Sequence, residues 1–197
     1  SIFFSTASIF ISFVFGYQYY KDLKKVDADY LAVNWFKSAV IFNIISCIGT
    51  FYLAYMMTTK NIIPDWYFSS IYYYLHFQYN GWFFFGCMGL FLGYLNLKKS
   101  DHPYFKSTFL LFVVSCVPAY FLSLLWLQLP TWLYSITVGA AIIQTYAWFH
   151  FVYQLKNTKI KITEKKSAFL RNLLIFIAVV ISLKFLLQLG STIPALS

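Results

Sequence analysis

Apolar positions in this chain neither alternate nor recur every third or fourth residue; they run together. Near-continuous apolar segments cover about 2–20, 38–57, 67–97, 107–127, 131–155 and 169–190, joined by short connections. An α-helix needs about 20 residues to cross a hydrocarbon core about 30 Å thick. The pattern therefore predicts an all-α, polytopic transmembrane bundle of about six helices in a single domain, 1–197. Pro118 predicts a kink in the fourth segment, since proline removes a helix hydrogen bond and frees a carbonyl near Ser115. Gly190 and Pro194 predict the stop of the sixth. Residue 1 is Ser rather than Met, so either the start has been removed or the chain is a piece of a longer one. The first segment has no basic residue before it and a basic cluster after it, unlike a secretory signal peptide.

Composition strengthens the membrane reading. Only 11% of residues are charged, against roughly a quarter in an ordinary soluble domain. A net charge of +9 would point to nucleic acid in a soluble protein, but here the basic residues sit at the ends of apolar runs. That is an orientation signal. The expected partners are the lipid bilayer and other membrane subunits, with no nucleic acid.

Thirteen of the fifteen Lys and Arg residues fall in 21–37, 98–106 and 156–171, whereas the second connection holds only Lys60 and the fourth holds none. By the positive-inside rule the three basic loops are cytoplasmic and both termini lie outside. The expected location is the inner (plasma) membrane of a bacterium. Trp35, Trp66, Trp126, Trp132 and Trp148 fall near segment ends, where an amphipathic ring prefers the headgroup region. Trp82 lies deep in the third segment.

A polar side chain in a bilayer is costly unless it is paired or faces an interior cavity, so the few present are the candidates for function. At 100° per residue, Ser69, Tyr73, His76, Asn80 and Cys87 fall on one stripe of the third segment. Gly86, Gly89 and Gly93 occupy a neighbouring face, the last two in GxxxG spacing that permits close helix approach. His76 has the lone pair of a haem or metal ligand, with the alternative of a core histidine satisfied by another helix. Lys184, roughly 20 Å into the sixth segment from Arg171, is expected in the outer half, as is His76, roughly 15 Å in from Asp65. Gln188 is one turn beyond Lys184. The candidate cofactor-binding residues are thus His76, Asn80, Tyr73 and Lys184, with His76 the candidate metal ligand and haem or copper the admissible cofactors.

His150 lies about 9 Å from the cytoplasmic end at Lys156, in the opposite leaflet from His76, so one haem bridging the two is not expected. His102 reads as a loop residue. Asn43, Ser46, Cys47 and Thr50 in the second segment, and Thr137, Gly139, Gln144 and Thr145 in the fifth, read as helix-packing positions or as the lining of a path. Cys47, Cys87 and Cys116 read as small buried hydrophobes. No intramembrane Asp or Glu is available for an ion relay, and no HExxH, GxSxG or P-loop motif occurs.

The run Tyr74-Leu75-His76-Phe77-Gln78-Tyr79-Asn80-Gly81-Trp82, with Gly89 following, resembles a helix of membrane proteins related to the haem-copper oxidase catalytic subunit, with a pattern like His-x-His-x-x-x-x-Gly-Trp. The resemblance covers one segment of six. It implies that His76 matches the second histidine and Gly81 and Trp82 the Gly-Trp pair, while Tyr74 replaces the first histidine. With three histidines in the chain, it implies a degenerate relative, a fragment or an accessory subunit rather than a complete oxidase. Three functions stay open: a redox-linked subunit binding haem or copper through His76, a transporter or channel subunit, and a non-catalytic membrane scaffold.

Overall fold

The computed structural model describes residues 2–158 and 168–193. The described residues are all-helical, apart from one isolated bridge between Tyr30 and Lys98. Seven α-helices occur: α1 Ile2–Leu23, α2 Leu31–Thr59, α3 Pro64–His76, α4 Phe84–Tyr94, α5 Tyr104–Cys116, α6 Thr131–Asn157 and α7 Ala168–Gly190. A π-helical stretch, Phe77–Phe83, joins α3 to α4, and a 3₁₀ stretch, Pro118–Leu124, follows α5.

Each predicted apolar segment is helical, with edges that differ for local reasons. α2 starts seven residues before the predicted 38, because Leu31, Ala32, Val33 and Trp35 are buried despite the polar Asn34 and Lys37 among them. It ends at Lys60, in the left-handed region with φ 55°. α3 opens on Pro64, whose missing N–H costs nothing at a helix start, with Asp65 placed well for the positive end of the helix dipole. The Pro118 kink is present, as a bend of 44° between α5 and the 3₁₀ stretch. α7 stops at Gly190 as expected; Pro194 lies outside the described residues, as do Lys159, Lys161, Lys165 and Lys166 of the last basic loop.

Among the described residues, two helices are long and apolar enough to cross a membrane, within Leu31–Thr59 and Arg171–Gly190, and the bent pair Tyr104–Cys116 with Pro118–Leu124 makes a third if it is one span. The helices also leave large apolar side chains on the outside, among them Val14, Leu90, Phe169 and Leu187.

The chain packs as two compact units, Ser1–His102 and Pro103–Ser197. In the first, α2 is the spine, packed against α1, α3, the π-helical stretch and α4. Its core is aromatic: Phe42 lies 5.0 Å from Phe85 and 5.8 Å from Phe77, and Trp35 lies 5.2 Å from Phe85, by ring centroids. Trp35 is 1% exposed, so it belongs to this core and not to an interfacial belt. Glycines let the helices approach closely. A Cβ on Gly49 would lie 2.6 Å from the Ser70 carbonyl oxygen and 3.0 Å from the Tyr74 backbone nitrogen. One on Gly89 would meet the Phe36 ring at 2.8 Å, and one on Gly81 would meet Phe42 Cβ at 2.6 Å. Of the predicted glycine face, Gly89 thus packs tightly on α2, Gly93 reaches Ala32 at ordinary distance, and Gly86 faces open space.

In the second unit, α6 packs against α5, the 3₁₀ stretch and α7. Phe185 sits between Phe112 at 5.9 Å and Trp148 at 6.0 Å. Trp148 is buried, with Nε1 donating to Ser182 Oγ at 2.8 Å, so it too leaves the predicted belt for the core. Trp66, Trp126 and Trp132 remain exposed.

Gly49 and Gly86 make a matched pair for measurement. Gly49→Ala places a methyl against backbone that no rotamer change can move, and overpacking of this kind costs about 1–3 kcal/mol; thermal unfolding in detergent should show a lowered midpoint. Gly86→Ala meets nothing and should leave the midpoint unchanged or slightly raised.

Candidate functional site

The candidate site sits where α3 passes into the π-helical stretch. That stretch begins one residue after His76, and its wider turn advances each residue by less than the 100° of an α-helix. The predicted stripe therefore holds only as far as Asn80. Ser69 and His76 are buried and Tyr73 and Asn80 half-buried, but Cys87, beyond the π-helical stretch, is exposed. Cys47 and Cys116 are buried as expected.

His76 and Asn80 are brought together: Asn80 Nδ2 lies 3.2 Å from His76 Nδ1. The contact engages one imidazole nitrogen, with the direction of the hydrogen bond set by the ring tautomer. Phe77 packs edge-on to the imidazole at 5.1 Å and Tyr73 lies 4.7 Å from Phe77. Among the described residues no group of three or more His, Cys, Asp or Glu could hold a metal ion. These surroundings fit a hydrogen-bonded core histidine. Lys184 belongs to the second unit, on its exposed surface, with Nζ 4.3 Å from the Phe185 ring centroid.

The polar group that joins two helices in the first unit includes a residue absent from the predicted stripe. Gln78 falls on the opposite side of a 100° wheel from Ser69, yet it faces α2. Its Nε2 donates to Asn43 Oδ1 at 2.8 Å and to Ser46 Oγ at 2.7 Å, using both hydrogens, while Ser46 Oγ donates to the Asn43 carbonyl at 2.6 Å. The sequence signal for it was on α2, where Asn43 and Ser46 are three residues apart and share a face.

The second unit repeats the theme. Thr108 Oγ1 lies 3.0 Å from His150 Nδ1 and donates to Gln154 Oε1 at 3.2 Å, linking α5 to α6. Gln154 Nε2 donates to the Tyr104 carbonyl at 3.0 Å. Gln188 Nε2 donates to Gln144 Oε1 at 2.6 Å, linking α7 to α6, so Gln188 is engaged with Gln144. Thr145 Oγ1 adds a bond to the Phe185 carbonyl at 3.3 Å. Gly139 has nothing near its Cβ position.

Loops are tied as well. Leu31 N donates to the Leu97 carbonyl at 3.0 Å, Lys99 N to the Asp29 carbonyl at 2.8 Å, and Ser100 Oγ to Asp29 Oδ2 at 2.8 Å. Lys99 Nζ bonds the Ala28 carbonyl and, at 3.2 Å, Asn34 Oδ1. The first basic loop is thereby stitched to the start of the second.

Comparison with protein-family models, curated proteins and solved structures finds no match to the chain. The likeness to the haem-copper oxidase helix rests on His76, Gly81 and Trp82, with Gly89 following. In the structure Gly81 has a packing role, against Phe42, and Trp82 packs edge-on to Phe15 at 6.0 Å.

A double-mutant cycle on Asn43→Ala and Gln78→Ala measures the tie directly. Interhelical hydrogen bonds inside membrane proteins couple by about 0.6 kcal/mol on average and about 1.7 at most. Because Gln78 spends both hydrogens on α2, the coupling should fall in the upper half of that range by unfolding in detergent.

Proposed function

We propose that this protein is a polytopic membrane subunit with six crossings, and that it serves as a non-catalytic scaffold whose intramembrane polar residues hold helices together. The observation that carries the reading is the pairing of these residues. Gln78 with Asn43 and Ser46, Thr108 with His150 and Gln154, Gln144 with Gln188, and Trp148 with Ser182 each bridge two helices. Polar groups spent on one another stabilise packing and leave less for a substrate. α6 falls short of a span by hydropathy for the same reason: Thr137, Gln144, Thr145, His150 and Gln154 lower its average, although four of the five are buried and the fifth is half-buried.

In this proposal both termini are outside and the basic loops 21–37, 98–106 and 156–171 are cytoplasmic, in the inner membrane of a bacterium. The stitching of Asp29 to Ser100 supports a shared side for the first two basic loops. The bond from Gln154 to Tyr104 supports the same for the second and third, because Tyr104 and Gln154 each stand two residues from a basic residue, Lys106 and Lys156. At the other helix ends, Tyr52 packs on Trp66 at 6.1 Å and the Tyr134 hydroxyl bonds the Thr192 carbonyl.

Two measurements test this. In intact cells a membrane-impermeant maleimide should label Ser191→Cys and leave Ser100→Cys unlabelled until the cells are opened; the reverse pattern overturns the orientation. His76→Ala should lower the unfolding midpoint of protein that shows no Soret band and no bound copper. A Soret band or stoichiometric copper that disappears in His76→Ala would replace the scaffold with the redox-linked subunit.

A further inference from the structure

The first unit contains a cavity of about 390 Å³ between α1, α2 and α4, at the end carrying the stitched basic loops. Its volume lies within the roughly 300–1,000 Å³ of small-molecule sites. The wall is apolar: Leu23, Val26, Ala32, Val33 and Phe36, with Gly93 completing the side formed by α4. Tyr19, Tyr30 and Asp22 supply the polar atoms. The one acid in the lining, Asp22, forms an exposed ion pair with Lys25, Nζ to Oδ1 at 2.7 Å.

Cations gather at this end. Lys24 stands in the turn after α1 and Lys37 in α2, yet their Nζ atoms lie 5.4 and 6.0 Å from the centroid of the same ring, Tyr20, which follows the cavity-lining Tyr19 in the chain. Lys98 Nζ lies 5.4 Å from the ring centroid of Tyr30, itself part of the lining. Lys98 is thereby held over a ring of the lining itself, and Lys24 and Lys37 over the ring of the residue that follows Tyr19, by aromatic faces that attract cations without cancelling their charge. Lys37 lies in α2, and the Asp29–Ser100 and Lys99–Asn34 bonds fix the loops that carry Lys24 and Lys98, so little ordering remains to be done on binding.

An apolar wall calls for an apolar occupant and a cationic rim for an anionic one. A single molecule satisfies both only if it is an amphiphile with a negative head. The site lies at the ends of helices, where headgroups meet the hydrocarbon region, and basic pockets between transmembrane helices on the cytoplasmic side suit such heads. We propose that this cavity binds one acyl chain of an anionic phospholipid whose phosphate is held by Lys24, Lys37 and Lys98. The proposal rests on the membrane reading above and assigns a specific lipid-binding role to one end of the bundle. Gly93 is the device that keeps the cavity open. A Cβ there meets only Ala32 Cβ, at the ordinary contact distance of 3.5 Å, so the helix backbones leave room for a side chain to begin there.

The test uses the full chain purified in a neutral detergent, titrated with phosphatidylglycerol or phosphatidylcholine of identical acyl chains and followed by native mass spectrometry. Phosphatidylglycerol should bind at least tenfold more tightly. The triple variant Lys24→Gln, Lys37→Gln, Lys98→Gln should lose that preference, at about fivefold per lysine. Gly93→Leu should block one bound lipid while keeping the parent unfolding midpoint, which separates loss of the site from loss of the fold. Equal binding of the two lipids, or undiminished binding by a folded Gly93→Leu, overturns the lipid site even where the labelling pattern supports the membrane topology. Recovery of folded protein from the aqueous fraction without detergent instead overturns the membrane reading on which it rests.

Discussion

Everything in the first unit depends on how closely α2 can lie against the chain from 64 to 94. At Gly49 that contact is backbone to backbone, with the Ser70 carbonyl where a side chain would begin. At this spacing Phe42 reaches both Phe77 and Phe85, and the short Asn43 and Ser46 side chains reach Gln78. A wider gap would lose the dispersion contacts of the aromatic core and lengthen hydrogen bonds that tolerate little stretching. Packing and polar pairing are therefore one constraint.

The polar pairs have a consequence for what the chain can do. A residue such as Gln78 or Gln144 inside an apolar helix could serve a path, a ligand or a neighbouring helix. The structure spends these on neighbouring helices, and His76 on Asn80 within its own chain segment. At one end of the first unit, backbone and side-chain bonds also tie the first basic loop to the start of the second.

Much of the fold was legible because long apolar runs leave an α-helix few competitors. Pro118 and Gly190 marked their kink and stop correctly, since both act through local backbone geometry. Trp35 and Trp148 were misplaced because closeness to a segment end does not reveal whether another helix covers the ring; each is buried by aromatic neighbours distant in sequence. At the candidate site the pairing of His76 with Asn80 followed from their spacing of four. Gln78 did not, since which face of a helix meets its neighbour is a tertiary fact. Gly49 was missed because a lone glycine carries no spacing pattern, whereas the GxxxG pair that drew attention included Gly93, which is only loosely packed.

The π-helical stretch makes chain length itself a structural variable. Seven residues, Phe77–Phe83, occupy a widened turn between two α-helices. Each residue there advances the helix by less than 100°, so the seven turn the chain about as far as six α-helical residues would. Removing one residue from the stretch would let it close into an ordinary α-helix while Phe85 and Gly89 keep facing α2. Removing one from α4 ahead of Phe85, with the widened turn kept, would instead turn both away by about 100°. The interval between His76 and Gly89 can thus lose a residue at one place without repacking α4.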